Sequence, residues 1–192
     1  MRVALPVFMI AALAACQPPA SDDYAGRSRV TLGDRGASEP IASPDTAGAV
    51  WAATENPDRL LYGKPGEHPL LALECMVQGG LPLIGYTRFA RADANAKAIL
   101  ALIGNGHVSR LKIDAAERGE VWRWEGVTEA GDPALDVFTG ARGIEATVPG
   151  AGSVILNPSV LPGDLVESCR GRAADEPAIA PTPAPALPAG PV

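Results

Sequence analysis

Two six-residue runs, 98–103 (Ala-Ile-Leu-Ala-Leu-Ile) and 108–113 (Val-Ser-Arg-Leu-Lys-Ile), flank Gly104-Asn105-Gly106-His107. Asn-Gly between strand-forming runs requires two successive residues at positive φ, which is the geometry of a tight two-residue hairpin. Such a hairpin leaves one apolar face uncovered, so it commits the chain around it to a larger β structure. The alanine-rich stretch 94–102 carries a competing helical reading, and the strand is preferred. The rest of the chain has the same grain. Residues 70–77 and 81–89 read as strands across Gln78-Gly79-Gly80, 120–125 alternates in strand fashion, and 144–148 pairs with 153–156 across Pro149-Gly150-Ala151-Gly152. Lys64-Pro65-Gly66-Glu67 has the chemistry of a type II turn.

Helical signals are few. Asp132-Pro133 reads as an N-cap followed by proline at the first helical position, closing by Gly140. Residues 162–170 place Leu165, Val166 and Cys169 on one helical face, with Gly171 as the stop. The expected fold is therefore mainly β (α+β), an antiparallel sandwich or barrel-like domain over 59–172 with one or two short helices.

The N-terminus is of another kind. Met1-Arg2 precedes an apolar run over 3–15, which is too short for a membrane span of roughly 20 residues but has the form of a secretory signal. Leu13-Ala14-Ala15-Cys16 ends that run. The motif resembles the lipobox of bacterial lipoproteins, which implies cleavage before Cys16 and lipidation of its sulfur. Gln17 takes the place of the aspartate that signals inner-membrane retention in many such families, so the resemblance points to the outer membrane, facing the periplasm. Residues 16–58 then read as the lipidated cysteine and a flexible tether. As a coil its mean reach is about 35 Å. The one apolar patch in it, 49–53, is either a first strand or a segment that docks on the body.

Charge excludes one class of partner. Residues 59–172 hold thirteen acids and twelve bases, and the whole chain carries a formal charge of −6. No basic stripe appears, so no nucleic acid is expected. The partners implied are the membrane, through lipid on Cys16, and envelope proteins. Residues 173–192 contain six prolines and seven alanines. They read as an extended, polyproline-like segment, either a disordered stop or a spacer or ligand for a partner.

With Cys16 taken by lipid, Cys75 and Cys169 remain. In an oxidising compartment the preferred reading is a structural disulfide, with a redox pair or metal site as the alternative. No Cys-x-x-Cys spacing exists, and no cofactor is implied. His68 and His107 lie too far apart in sequence for a local zinc motif. Ser153 lacks the second glycine of a nucleophile elbow. Gly63-Lys64 runs into proline rather than the serine or threonine of a phosphate loop. Glu125, Glu129, Asp132 and Asp136 form a loose acidic cluster, which reads as a solvated loop rather than a glycosidase pair. Trp122 and Trp124, at i and i+2, share one strand face. They form either a stacking platform for a sugar or peptide, or the core side of the strand.

The layout over 70–171 is similar to that of small exported proteobacterial proteins of unknown function: an early strand ending in cysteine, an Asp-Pro-led helical turn, and a closing helix ending in Cys-Arg. That resemblance supports the disulfide and the α+β layout and implies no catalytic residues. The expectation is a non-enzymatic envelope lipoprotein acting through protein contact. The alternative is a periplasmic binder or inhibitor of a wall-degrading enzyme or small ligand, using Trp122, Trp124 and the 125–136 loop.

Overall fold

The structure is a computed structural model, and it describes residues 37–172. The lipobox and Cys16, and the proline-rich segment 173–192, lie outside the described residues. The body is a nine-stranded, wholly antiparallel sheet curled into a nearly closed barrel, with two short helices at one end. In chain order the strands are β1 (Val50–Ala53), β2 (Arg59–Gly63), β3 (Leu71–Gln78), β4 (Leu81–Arg91), β5 (Lys97–Gly104), β6 (His107–Arg118), β7 (Val121–Glu129), β8 (Ile144–Thr147) and β9 (Ser153–Leu156). A 3-10 helix (Pro133–Phe138) separates β7 from β8, and α1 (Leu161–Gly171) closes the described chain. The spatial order is β1-β2-β3-β4-β7-β6-β5-β8-β9.

Turn chemistry sets the registers. Asn105 and Gly106 take φ of 51° and 84°, so Gly104 pairs with His107 and the β5–β6 hairpin forms as its sequence demands. Residues 97–104 are therefore strand, and the helical alternative over 94–102 is not taken. Gly79 and Gly80 play the same part between β3 and β4. Alternation along the strands sends Leu71, Leu73, Cys75, Ile84, Leu100, Leu102, Leu111 and Ile113 into one core. Tyr86 lies across Gly126, where any Cβ would collide with its ring, and donates its hydroxyl to the Lys112 carbonyl at 2.6 Å. A glycine inside β7 is thus the mark of a close approach. Desolvation pushes the Tyr86 phenol up to about 12, keeping it a donor.

Asp132 caps the 3-10 helix by accepting from Ala134 N at 2.8 Å, with Pro133 at its start. That helix and α1 plug the lower end of the barrel. The α1 face of Leu165, Val166 and Cys169 is buried, and Gly163 allows the helix to sit against the Phe138 carbonyl. Cys169 forms a disulfide with Cys75, within β3. Arg170 donates to the Ala130 carbonyl at 2.8 Å and to Asp136 at 2.8 Å, and Arg172 pairs with Asp58 in the β1–β2 turn.

The boundary placed at residue 59 moves. Of the two readings open for 49–53, the strand is the one formed: β1 pairs with β2, and Trp51 stands opposite Tyr62 with ring centroids 5.2 Å apart. Residues 37–49 also belong to the body. Ile41 N donates to the Gly150 carbonyl at 2.8 Å, Ser153 N donates to Ser43 Oγ at 2.9 Å, and the Asn157 amide donates to the carbonyls of Thr46 and Ala49. The contacts advance in the same direction along both segments. Residues 41–49 therefore run parallel to β9 and fill the seam between it and β1. Such a strap escapes a sequence reading because it is held by scattered amides and side chains, not by a ladder with a period.

Candidate binding groove at the barrel rim

The upper rim is formed by the start of β3, the ends of β4 and β7 that face it, and the 148–152 turn. Its interior side is occupied by Arg88, only 3% exposed. Arg88 donates to the carbonyls of Leu70 (3.1 Å), Phe89 (3.3 Å) and Ala151 (3.0 Å). No carboxylate pairs with it among the described residues. Burial pushes its guanidinium down to about 10, still protonated at neutral pH. A fork with five donors suits three fixed carbonyls better than an ammonium would. Arg88 is thus a clamp joining the β3 entry to the β8–β9 turn.

Trp124 is the cross-strand partner of Arg88 and is 6% exposed, within the core. The two tryptophans do share a face, but it is the interior one, and the paired platform does not form. Trp122, two residues nearer the rim, is half-buried and packs on the edge of the core. There it lines an open groove of about 520 Å³ with His68, Pro69, Phe89, Ala90, Arg91, Val121 and Arg123. The groove is predominantly apolar. Arg123 stacks over Phe89, its guanidinium carbon 5.2 Å from the ring centroid, an arrangement favourable to both groups. Val121 is 61% exposed at the lip.

Only Trp122 of this set was legible beforehand. Alternation from the inward Arg88 puts Phe89 on the outer surface, a register shift between Arg88 and Arg91 brings Arg91 opposite Arg123, and His68 and Pro69 arrive from the β2–β3 connection. Nothing in the local sequence announces that meeting of three separate segments.

Below the groove, and sharing Arg123 with it, a second depression of about 190 Å³ crosses the outer face of β2, β3, β4 and β7. Gly85 lies at its floor with Met76 folded over it. Its charged groups are Arg59, Glu74, Arg118, Arg123 and Glu125. Arg59 pairs with Glu74 at 3.5 Å, while Arg118 and Arg123 both pair with Glu125. Three guanidinium groups thus share two carboxylates.

The remaining sequence candidates take structural posts. Asp132 is a cap and also accepts from Thr128 at 2.8 Å; Asp136 holds Arg170 at 2.8 Å; Glu125 holds two arginines; Glu129 is exposed. The acidic cluster is therefore spread among separate contacts. Ser153 Oγ lies 2.6 Å from Thr147 Oγ1, between neighbouring strands. His107 is exposed at a hairpin end, away from the groove that His68 borders. No group of three or more potential metal ligands occurs among the described residues. No helix among the described residues is long and apolar enough to cross a membrane.

Comparison with protein-family models, with curated proteins and with solved structures finds no match to this chain. The groove therefore has to be read from its own chemistry. Aromatic rings set beside arginines, over a rigid sheet and at a lip open to solvent, are the composition of a contact surface's energetic centre.

Proposed function

We propose that this chain is a lipid-anchored envelope protein, attached through Cys16 to a membrane facing the periplasm, whose barrel acts without catalysis by holding a partner protein in the Phe89–Trp122 groove. The observation that carries this reading is the groove itself: two half-buried aromatic rings and two arginines on a framework clamped by Arg88 and tied by the Cys75–Cys169 disulfide. Rigid support favours binding, because little ordering is left to oppose association. The lipobox supports the anchor. Tying the body to one surface also raises its effective concentration near any partner there, so a modest intrinsic affinity suffices.

An inhibitor that inserts an acidic loop into an enzyme cleft is less well supported. In the 125–136 segment Glu125, Asp132 and Asp136 are engaged as caps and ion pairs, and the rim offers a concavity rather than a projecting wedge.

The test is crosslinking in cells that express the tagged full-length chain, beside Cys16→Ser, Trp122→Ala and Arg123→Ala forms. A partner protein captured by the parent chain and diminished about tenfold or more in each variant is the expected result. Capture undiminished by Trp122→Ala and Arg123→Ala, or no protein captured by the parent chain, would overturn the reading.

A further inference from the structure

The described chain ends at Arg172, which Asp58 holds beside Arg59, the first cation of the lower depression. Beyond it come Asp175 and Glu176, then prolines at 177, 181, 183 and 185. The surface leading away from Arg59 offers the matching chemistry in the same order. First lies the depression in which three arginines share two carboxylates, leaving one positive charge uncompensated among its lining groups. Through Arg123 it opens into the groove of Phe89 and Trp122. We propose that residues 173–192 dock on their own barrel along this trough, the acids against Arg59, Arg118 and Arg123 and the 181–185 prolines on Phe89 and Trp122.

The lengths agree. Phe89 lies four residues along β4 from Gly85, which shares a row with Glu74 and Arg59. Four residues of strand and two inter-strand spacings make a diagonal of about 16 Å from the Arg59 end to the groove. From Asp175 to Pro181, six residues of polyproline-like chain span about 19 Å. Asp175 is three residues past Arg172, close enough to meet Arg59 without slack. Proline-rich chain loses little conformational freedom on binding, and aromatic-lined grooves with polar edges are its usual receptors.

Docking of this kind makes residues 173–192 an occupant that a partner has to displace. It therefore deepens the contact reading above, on which it rests for the groove's importance. As occupants, a second copy's segment or an unrelated ligand are the competing possibilities.

The test places a benzophenone amino acid at Val121, exposed on the groove lip, in the full-length chain isolated from membranes. Illumination followed by mass spectrometry should join residue 121 to a peptide from 177–191 within a band of monomer mass. Asp175→Lys with Glu176→Lys should reduce that product at least fivefold, as should replacement of Pro181, Pro183 and Pro185 by glycine. These changes touch none of the described residues of the barrel, and an unchanged melting temperature in each variant checks that it still folds. A product of dimer mass, no product with 177–191, or yields unaffected by either set would overturn the proposal. Partner capture in cells is read separately, so a groove that binds a partner but not its own segment is distinguished from one that binds neither.

Discussion

Arg88 is the residue on which the rim depends. Its three carbonyl partners come from the β2–β3 connection, from β4 and from the β8–β9 turn, so one side chain fixes three segments far apart in sequence. Arg88→Lys keeps the charge and loses the fork. It should reduce unfolding free energy by about 1–3 kcal/mol in urea titrations, because buried carbonyls are left without donors. Burial also lowers the folded pKa of Arg88 to about 10, below its unfolded value. The unfolded chain then binds more protons above that pH, and the contribution of this residue to stability rises with pH there rather than falling. The role of Arg88 could not be read from Tyr86-Thr87-Arg88-Phe89, where alternation places an arginine on an inward position without saying what receives it. The paired cysteines and the Asp132 cap were legible, because each needs only its own residue type and near neighbours, or one partner of its own kind. Trp122 and Trp124 lay between these cases. Their shared face followed from spacing, while which face it was depended on β4.

At the scale of elements the hairpins were readable and the seam was not. Asn105-Gly106 and Gly79-Gly80 carry their conformations locally. The strap over 37–49 is Pro-, Ser- and Gly-containing and aperiodic, which reads as coil, yet it occupies the place of a tenth strand. Its outer end is fastened by Ser38, whose hydroxyl and backbone N both donate to Asp93. Those bonds hold the Asp93 carboxyl below its ordinary value. A carboxylate lowered in the folded state contributes stability that is present above the ordinary value near 4 and is lost as pH falls through the folded one. Protection of the 38–43 amides against hydrogen exchange, corrected for intrinsic rates, should therefore fall between pH 5 and 3. In Asp93→Asn the protection should be lower at pH 6 and should no longer respond to acid. Unchanged protection in both would show that Ile41, Ser43 and Asn157 hold the seam without the Ser38–Asp93 bonds. The Arg172–Asp58 pair obeys the same sign, since the guanidinium holds the Asp58 carboxyl below its ordinary value.

Across the whole molecule the disulfide closes a separation of 94 residues, tying α1 to β3. Restricting the unfolded chain over such a loop gives an upper figure somewhat above 4 kcal/mol in the chain-entropy view. Replacing Cys75 and Cys169 together with alanine should lower stability by about 2–5 kcal/mol in calorimetry or urea titration, and reductant should then have no further effect. A loss below about 1 kcal/mol would mean that the packed face of α1 and its Arg170 and Arg172 contacts hold the helix unaided. The antiparallel barrel was foreseeable from the number and spacing of strand signals. Its closure was not, since that rests on the earliest described residues meeting the latest: Ser43 with Ser153, Thr46 with Asn157, Asp58 with Arg172. Those meetings have a consequence in time. A chain that is made, or threaded through a membrane, from its first residue to its last has its seam strap ready long before β9 exists to receive it. Non-local contacts of this kind are slow to find. The barrel can shut only when nearly the whole body has emerged, so until then its apolar interior stands open to solvent.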